Sequence, residues 1–382
     1  MAGGLRSRFR TAGDVPSVPR PSPPSEAAGW GLRGTSGVPR AACTARWWGR
    51  SARCFEPAVN YTELDWRWAI LLGAALRDGL LEAVAERPSS SADVAGDLGL
   101  DARAVHVVLS ALAELGVLVE GDDGFLLGEE HRGPLLVAEH PEYVGQSVVH
   151  RFELMGSWSR LPEVLRTGRP IEDRTAPDFG GAATFIAAMR RGAMPGAEAV
   201  AASVLPRLPE GARILDVGGG PGTNAEAFAR GGARVTVLDR PVVIDLMRST
   251  LHAAGVETVA GDMNEGLPEG PFDAVYFGNT SHMYGPRENL ALLARMRGSL
   301  APAGLLVVRE FVRGLGEDAA LFAVNMLVTT ARGNTYTAEE YEGWLARAGY
   351  EGVEFEPVPG RSTHLIFARK TRPTSTEEPA RA

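Results

Sequence analysis

"ILDVGGGPGTNAEAF", residues 214–228, sets four glycines within five positions, between an apolar run that closes on an acid and a segment of helical character. Glycine lacks a Cβ, so a turn this thin either touches a ligand with its backbone or bends where φ is positive. The surroundings say where that turn stands. "ARILDVG" (212–218), "ARVTVLD" (233–239), "FDAVYFG" (272–278) and "GLLVVREF" (304–311) are short apolar runs separated by helix-like segments. This is the signature of a parallel sheet covered on both faces. Ligands of such sheets lie at the carboxyl ends of the strands, where the glycines stand.

Gly218, Gly220 and Gly222 have the spacing G-x-G-x-G. The longer interval that seats a dinucleotide pyrophosphate is missing, which argues against NAD. Asp239 ends the next strand, where a carboxylate can accept two hydrogen bonds from ribose hydroxyls. In "AGDMNEGLP" (260–268), Asp262 follows the third strand and can accept from an adenine amino group, with Met263 packed on the ring. Three such features after three successive strands point to an adenosine.

The 382 residues carry a formal charge of −8, with 45% hydrophobic and 23% charged residues. That is a globular composition. The first 55 residues hold nine Arg against Asp14 and Glu26, so the body that follows is strongly acidic, a poor partner for nucleic acid or an anionic membrane. Cys43 and Cys54 are the only cysteines, and both fall in that leader, so the body has no disulfides and a reducing cytoplasm is the expected compartment. The most apolar stretch, "AILLGAALRDGLLEAVA" (69–85), is broken by Arg77 and Asp78, too early to span a bilayer. Residues 1–57, rich in Pro, Gly, Ser and Arg, read as a disordered extension without a secretory signal, and an over-called start is its expected origin. Residues 371–382 read as a disordered tail.

Residues 58–142 read as a small helical domain. "SSSADVAGDLGLDARAVHVVLSALAELGVLVEGDDGFLLG" (89–128) gives a capped helix, a turn, a second helix with Val105, Val108, Leu109, Leu112 and Leu115 on one stripe, and a hairpin about Gly121 to Gly124. This is a winged helix-turn-helix outline. As a DNA reader it is poorly equipped, since the second helix offers only Asp101, Arg103 and His106, so a dimerisation module is the expected role. Residues 143–205 read as helices carrying Met155, Trp158, Phe179, Phe185 and Met189. Such a stripe packs a core or receives a flat organic ligand. The catalytic domain is expected over residues 206–370.

"LDVGGGPGT", "VLDRP", "GDM" and "SHMYGPRENLALLARMRGSLAPAGLLVV", in that order, resemble the class I S-adenosylmethionine-dependent methyltransferases. More narrowly, residues 60–370 are similar to the small-molecule O-methyltransferases that carry an N-terminal winged-helix dimerisation domain. The resemblance implies an α/β, Rossmann-like sheet of seven strands whose last strand, in "VEFEPVPGRSTHLIFARK" (353–370), is reversed. It implies a homodimer, S-adenosylmethionine as cofactor, and adenosine contacts from Gly218, Gly220, Asp239, Asp262 and Met263. Asn279 and Gly278 then line the methionine moiety, and Asp216 either pins the glycine turn or reaches the cofactor amine.

Methyl transfer is an in-line displacement, so the protein must align the acceptor and remove its proton. A phenol ionises at about 10 and histidine at about 6.5, so a neutral imidazole in hydrogen-bond reach can take the proton as the oxygen attacks. In the family that base is the histidine matched by His282 in "NTSHMY", on the rim of the fourth strand. Glu310 matches the glutamate that orients it. Plant members carry an acid where Met283 stands, and a further glutamate where Asn334 and Thr335 stand, so the orientation of His282 is expected to be less secure here. Other histidines are expected to be structural. Met326 in "LFAVNMLVTT" (321–330) joins Met155, Trp158, Phe185 and Met189 as the expected wall of the acceptor pocket. No metal is expected, because no Asp, Asn and Glu cluster of magnesium-ligand spacing follows the fourth strand. The reading is O-methylation of a small aromatic metabolite. Its rivals are C- or N-methylation at the same cofactor site, a winged-helix DNA-binding regulator and an inactive scaffold.

Overall fold

The computed structural model describes residues 65–176 and 180–372. The leader over 1–57 with its cysteines, Phe179, and the tail beyond residue 372 lie outside the described residues. The N-terminal part runs α1 (Trp66–Arg77), α2 (Leu80–Ala83), α3 (Ser91–Leu98), α4 (Ala102–Glu114), β1 (Leu118–Gly121), β2 (Gly124–Leu127) and α5 (Glu129–Leu136). Capping sets where these helices start. Ser90 Oγ accepts from Asp93 N–H at 3.1 Å and Asp101 Oδ1 from Ala104 N–H at 2.8 Å, satisfying amides that the first turns leave free. Gly99, left-handed at φ 66°, stops α3 before α4 begins. Val105, Leu109 and Leu112 are fully buried, with Val108 and Leu115 half-buried at the stripe's edge. The hairpin pairs Leu118 with Leu127 through Gly121 with Gly124, at the expected turn.

Three helices follow: α6 (Gly145–Ser159), α7 (Leu161–Thr167) and α8 (Ala182–Val204). Val148 and Val149 of α6 close the N-terminal core, while Val200, Ala201 and Val204 of α8 belong to the core of the sheet.

Then come β3 (Arg213–Val217), α9 (Thr223–Arg230), β4 (Arg234–Asp239), α10 (Pro241–Ala253), β5 (Glu257–Ala260), β6 (Phe272–Gly278), α11 (Pro286–Ser299) and β7 (Leu300–Glu310). A short parallel pair, β8 (Val312–Arg313) and β9 (Tyr336–Thr337), brackets α12 (Ala319–Thr329). α13 (Ala338–Arg347), β10 (Tyr350–Pro357) and β11 (His364–Lys370) complete the described residues. The sheet has seven strands in the order β10-β11-β7-β6-β3-β4-β5. β11 runs antiparallel to both its neighbours, and the pairs among β7, β6, β3, β4 and β5 are parallel. This is the Rossmann-like sheet with its reversed last strand.

Alternation along the strands feeds two cores. Ile214, Ala274, Tyr276, Leu305 and Val307 face α8, α9 and α10, whereas Leu215, Val275, Phe277, Leu306 and Val308 face α11 and α13. Burying each such large side chain contributes about 1.5–3 kcal/mol, so both faces anchor the sheet that carries the rim.

Candidate functional site

Beyond β3 the chain turns through Gly218 (φ 69°), Gly220 (φ 53°) and Gly222 (φ 73°). L side chains are strained in that region. Space is also short, because a Cβ on Gly218 would lie 2.9 Å from Met263 Cε and 3.1 Å from Thr280 Oγ1. Asp239, ending β4, holds the turn by accepting from Gly220 N–H at 2.7 Å on one oxygen and from Arg240 N–H at 2.7 Å on the other. Each oxygen keeps a second lone pair. Burial raises the Asp239 carboxyl above the usual range, against the lowering effect of those two amides. From the other side, Arg190 of α8 donates to Pro221 O at 2.8 Å and pairs with Glu226 of α9 at 2.9 Å.

After β5, the exposed Asp262 spends one oxygen on its own turn, accepting from Asn264 N–H at 2.8 Å and Asn264 Nδ2 at 2.9 Å. Met263 is buried beside it. After β6, Asn279 adopts a left-handed conformation (φ 51°) with its N–H on Arg309 O at 2.8 Å. Its Oδ1 is buried without a hydrogen-bond partner. A left-handed backbone and an orphaned acceptor coincide at this strand end.

His282 sits in a short 3₁₀ turn, Ser281–Met283, braced on several sides. Asn289 Nδ2 donates to Ser281 O and Tyr284 O, both at 3.0 Å, and Asn334 N–H donates to His282 O at 2.9 Å. Glu310, fully buried at the end of β7, accepts from His282 N–H at 3.2 Å and faces His282 Nδ1 at 2.8 Å. A carboxylate there requires the proton on Nδ1, which leaves Nε2 with the basic lone pair. Phe322 of α12 meets the imidazole edge to face at 4.8 Å and stacks on Phe311 at 4.0 Å. The ring is fixed in place. Asn334, where the family's further glutamate was expected, reaches this loop through its backbone.

These rim elements surround a cavity of about 1410 Å³. Gly218, Gly220, Asp239, Asp262, Met263, Asn279 and His282 are among its lining residues, and so are Met155, Trp158, Phe185, Met189 and Met326. Trp158 Nε1 donates to Asn325 Oδ1 at 3.1 Å, tying α6 to α12 across the opening.

The O-methyltransferase domain family matches residues 178–351. A 3-hydroxy-5-methyl-1-naphthoate 3-O-methyltransferase from Streptomyces sahachiroi is 32% identical over 74% of this chain and 86% of its own length. The tetracenomycin polyketide synthesis 8-O-methyltransferase TcmO of Streptomyces glaucescens is 30% identical over 78% and 92%. The chain belongs to this O-methyltransferase family. The S-adenosyl-L-methionine-dependent methyltransferase PigF of a Serratia species, solved with S-adenosylhomocysteine, shares the fold at TM-score 0.65 and 24% identity, over 80% of this chain and 96% of that one. The protein is thus an S-adenosylmethionine-dependent O-methyltransferase acting on a small molecule.

Two residues of this methyltransferase depart from the sequence reading. His150 of α6, expected to be structural, lies on the cavity wall, edge to face with Phe185 at 5.7 Å. Its place on one helical face with Leu154 and Trp158, four and eight residues on, was the available signal. Burial, and then the charge of Arg174, depress its imidazole to about 4, so it is neutral at pH 7.

Asp216 Oδ2 accepts from none of the glycine-turn amides. It lies beneath the turn, where a Cβ on Gly219 would approach its Oδ2 to 3.0 Å, and that oxygen is buried without a partner. Burial, then the charge of Asp239, push its carboxyl up to about 8. Between about pH 4 and pH 8 the folded cofactor-free enzyme therefore retains a proton that the unfolded chain has released. Stability from this group is full below pH 4 and declines as pH rises toward 8, by at most about 1.4 kcal/mol per pH unit. Asp216→Asn should flatten that decline in urea unfolding at pH 5 and pH 8, and an unchanged slope would contradict the burial account.

Proposed function

We propose that the enzyme methylates a hydroxyl of a small aromatic acceptor, with His282 as general base and Glu310 as its orienting partner. The carrying observation is the 2.8 Å contact of His282 Nδ1 with Glu310 on the wall that also holds the glycine turn and the Met and aromatic lining. In this reading Asp239 receives the ribose hydroxyls, Gly218 and Gly220 lie against the nucleoside, and Asp262 and Met263 hold the adenine. The orphaned Asn279 Oδ1 accepts from the amine. The residues fit a cationic sulfonium nucleoside. When bound, that cofactor supplies an electrophilic methyl and a neutral leaving group.

His282 Nε2 takes the hydroxyl proton as the oxygen attacks, and the Glu310 carboxylate stabilises the imidazolium that forms. Met155, Trp158, Phe185, Met189 and Met326 keep water from a step in which opposite charges cancel, a step that low polarity favours. Incubating the enzyme and methyl-labelled cofactor with phenols of one to three rings tests this. The expected product is an aryl methyl ether, and label on carbon or nitrogen alone would support the rival chemistry instead.

The N-terminal region, residues 58–142, is assigned to homodimerisation, with residues 143–205 as pocket helices and 206–370 as the catalytic domain. In support, Val107 of α4 and Val119 of β1 are 56% and 60% exposed, apolar side chains available to a partner. Sedimentation equilibrium would refute the dimer by giving the mass of one chain. Among the described residues no helix is long and apolar enough to cross a membrane, and the cytoplasm is the proposed compartment, to be checked by fractionation.

A further inference from the structure

The cavity is lined by cations that nothing in the methyl transfer uses. Arg309 precedes Glu310 in β7, and the pleat sends it to the opposite face of the sheet, toward α8. It is only 4% exposed. Its Nε donates to Thr363 Oγ1 at 3.0 Å, yet its Nη1 is buried without a hydrogen-bond partner beside the Tyr276 hydroxyl, which is likewise unpaired. Arg361 stands in the turn between β10 and β11, fixed by its N–H on Val358 O at 3.0 Å. Its side chain makes no ion pair among the described residues.

Both guanidinium groups converge at Gly196 of α8. A Cβ there would lie 3.2 Å from Arg309 Nη2 and 3.3 Å from Arg361 Nε, so any larger residue would crowd both. Arg309, Arg361 and Thr363 all line the cavity. Asp318 accepts from the Ser362 hydroxyl beside them, and neither arginine forms an ion pair among the described residues. Two like charges in a largely buried site repel each other, and an unspent guanidinium donor under cover is costly. One carboxylate would relieve both, and its planar pair of oxygens matches the guanidinium fork.

We propose that Arg309 and Arg361 form an anion-recognition subsite and that the acceptor carries a carboxylate beside the hydroxyl to be methylated. This rests on the acceptor-pocket reading above. Arg309 and Glu310 leave the same strand end on adjacent residues, so the anion holder and the support of the base flank one cavity, and an acidic substituent sets which hydroxyl meets His282.

The test uses the full chain saturated with S-adenosylhomocysteine and titrated with aromatic hydroxy acids of one to three rings, each paired with its carboxamide. At least one carboxylate should bind about tenfold or more tightly than its carboxamide. Arg361→Gln, in a half-buried turn, should reduce that preference to about twofold or less with S-adenosylhomocysteine affinity and thermal midpoint unchanged. Arg309→Met should do the same, and if its burial prevents folding, Arg361→Gln alone carries the test. The subsite is overturned if no carboxylate in the set is favoured over its carboxamide, or if the preference survives the Arg361 substitution. A failure of the methyltransfer reading looks different: the carboxylate preference would be present while no hydroxyl acquires label.

Discussion

His282→Ala is expected to lower kcat on a phenolic acceptor by a factor of about 10² to 10⁴ and to leave S-adenosylhomocysteine affinity within about twofold. The reasoning is local. His282 holds its Nδ1 against a fully buried carboxylate, so Nε2 is the basic atom that the turn delivers to the cavity, and alanine offers nothing in its place. The cofactor-side residues Gly218, Asp239 and Met263 depend on contacts that do not include the imidazole. Removing it spares the nucleoside site. The ring also fills space against Phe322, so a modest fall in thermal midpoint should accompany the loss of turnover. Turnover that survives the substitution would assign the base elsewhere.

Gly218→Val should abolish cofactor binding by calorimetry, with affinity reduced at least about 100-fold. At φ 69° a β-branched residue is strained by about 1–3 kcal/mol before any contact is counted. Its Cβ would then press on Met263 Cε and Thr280 Oγ1. Met263 has a flexible end and can swing away, but Thr280 opens the loop that carries His282 and cannot move without it. The adenine wall and the base are disturbed together. Affinity close to that of the unchanged enzyme would mean that the nucleoside does not rest on this turn.

Much of this rim was legible in one dimension, for a physical reason. In a parallel sheet every strand ends on the same side, so Gly218, Asp239, Asp262 and His282 could be gathered from their places after successive apolar runs. Glu310 and the reversed β11 came instead from the family resemblance, through "LLVVRE" and the two runs joined near Gly360. Register was less visible. Asp216 stands two residues beyond Ile214 and therefore turns toward α8, beneath the glycines and off the cavity wall, a consequence of the two-residue alternation of a strand. Asp262 lies on the rim as expected, but exposed and with one oxygen engaged by Asn264.

Contacts between distant segments were not legible at all. Arg309 and Arg361 meet only because the β10–β11 turn folds back toward α8, and periodicity within either segment carries no trace of that approach. The bracing of His282 by Asn334 is a backbone interaction, which residue identity does not encode. The winged-helix outline was readable because caps, stripe and hairpin are all local.

The most direct test of base catalysis is the single-turnover rate of methyl transfer, measured across pH for the enzyme and for His282→Ala with one phenolic acceptor. With His282 as base, the unchanged enzyme should transfer methyl well below the pH of about 10 at which a phenol ionises by itself, whereas the variant should climb only as the phenol itself ionises. Superimposable profiles for the two proteins would contradict the role given to His282.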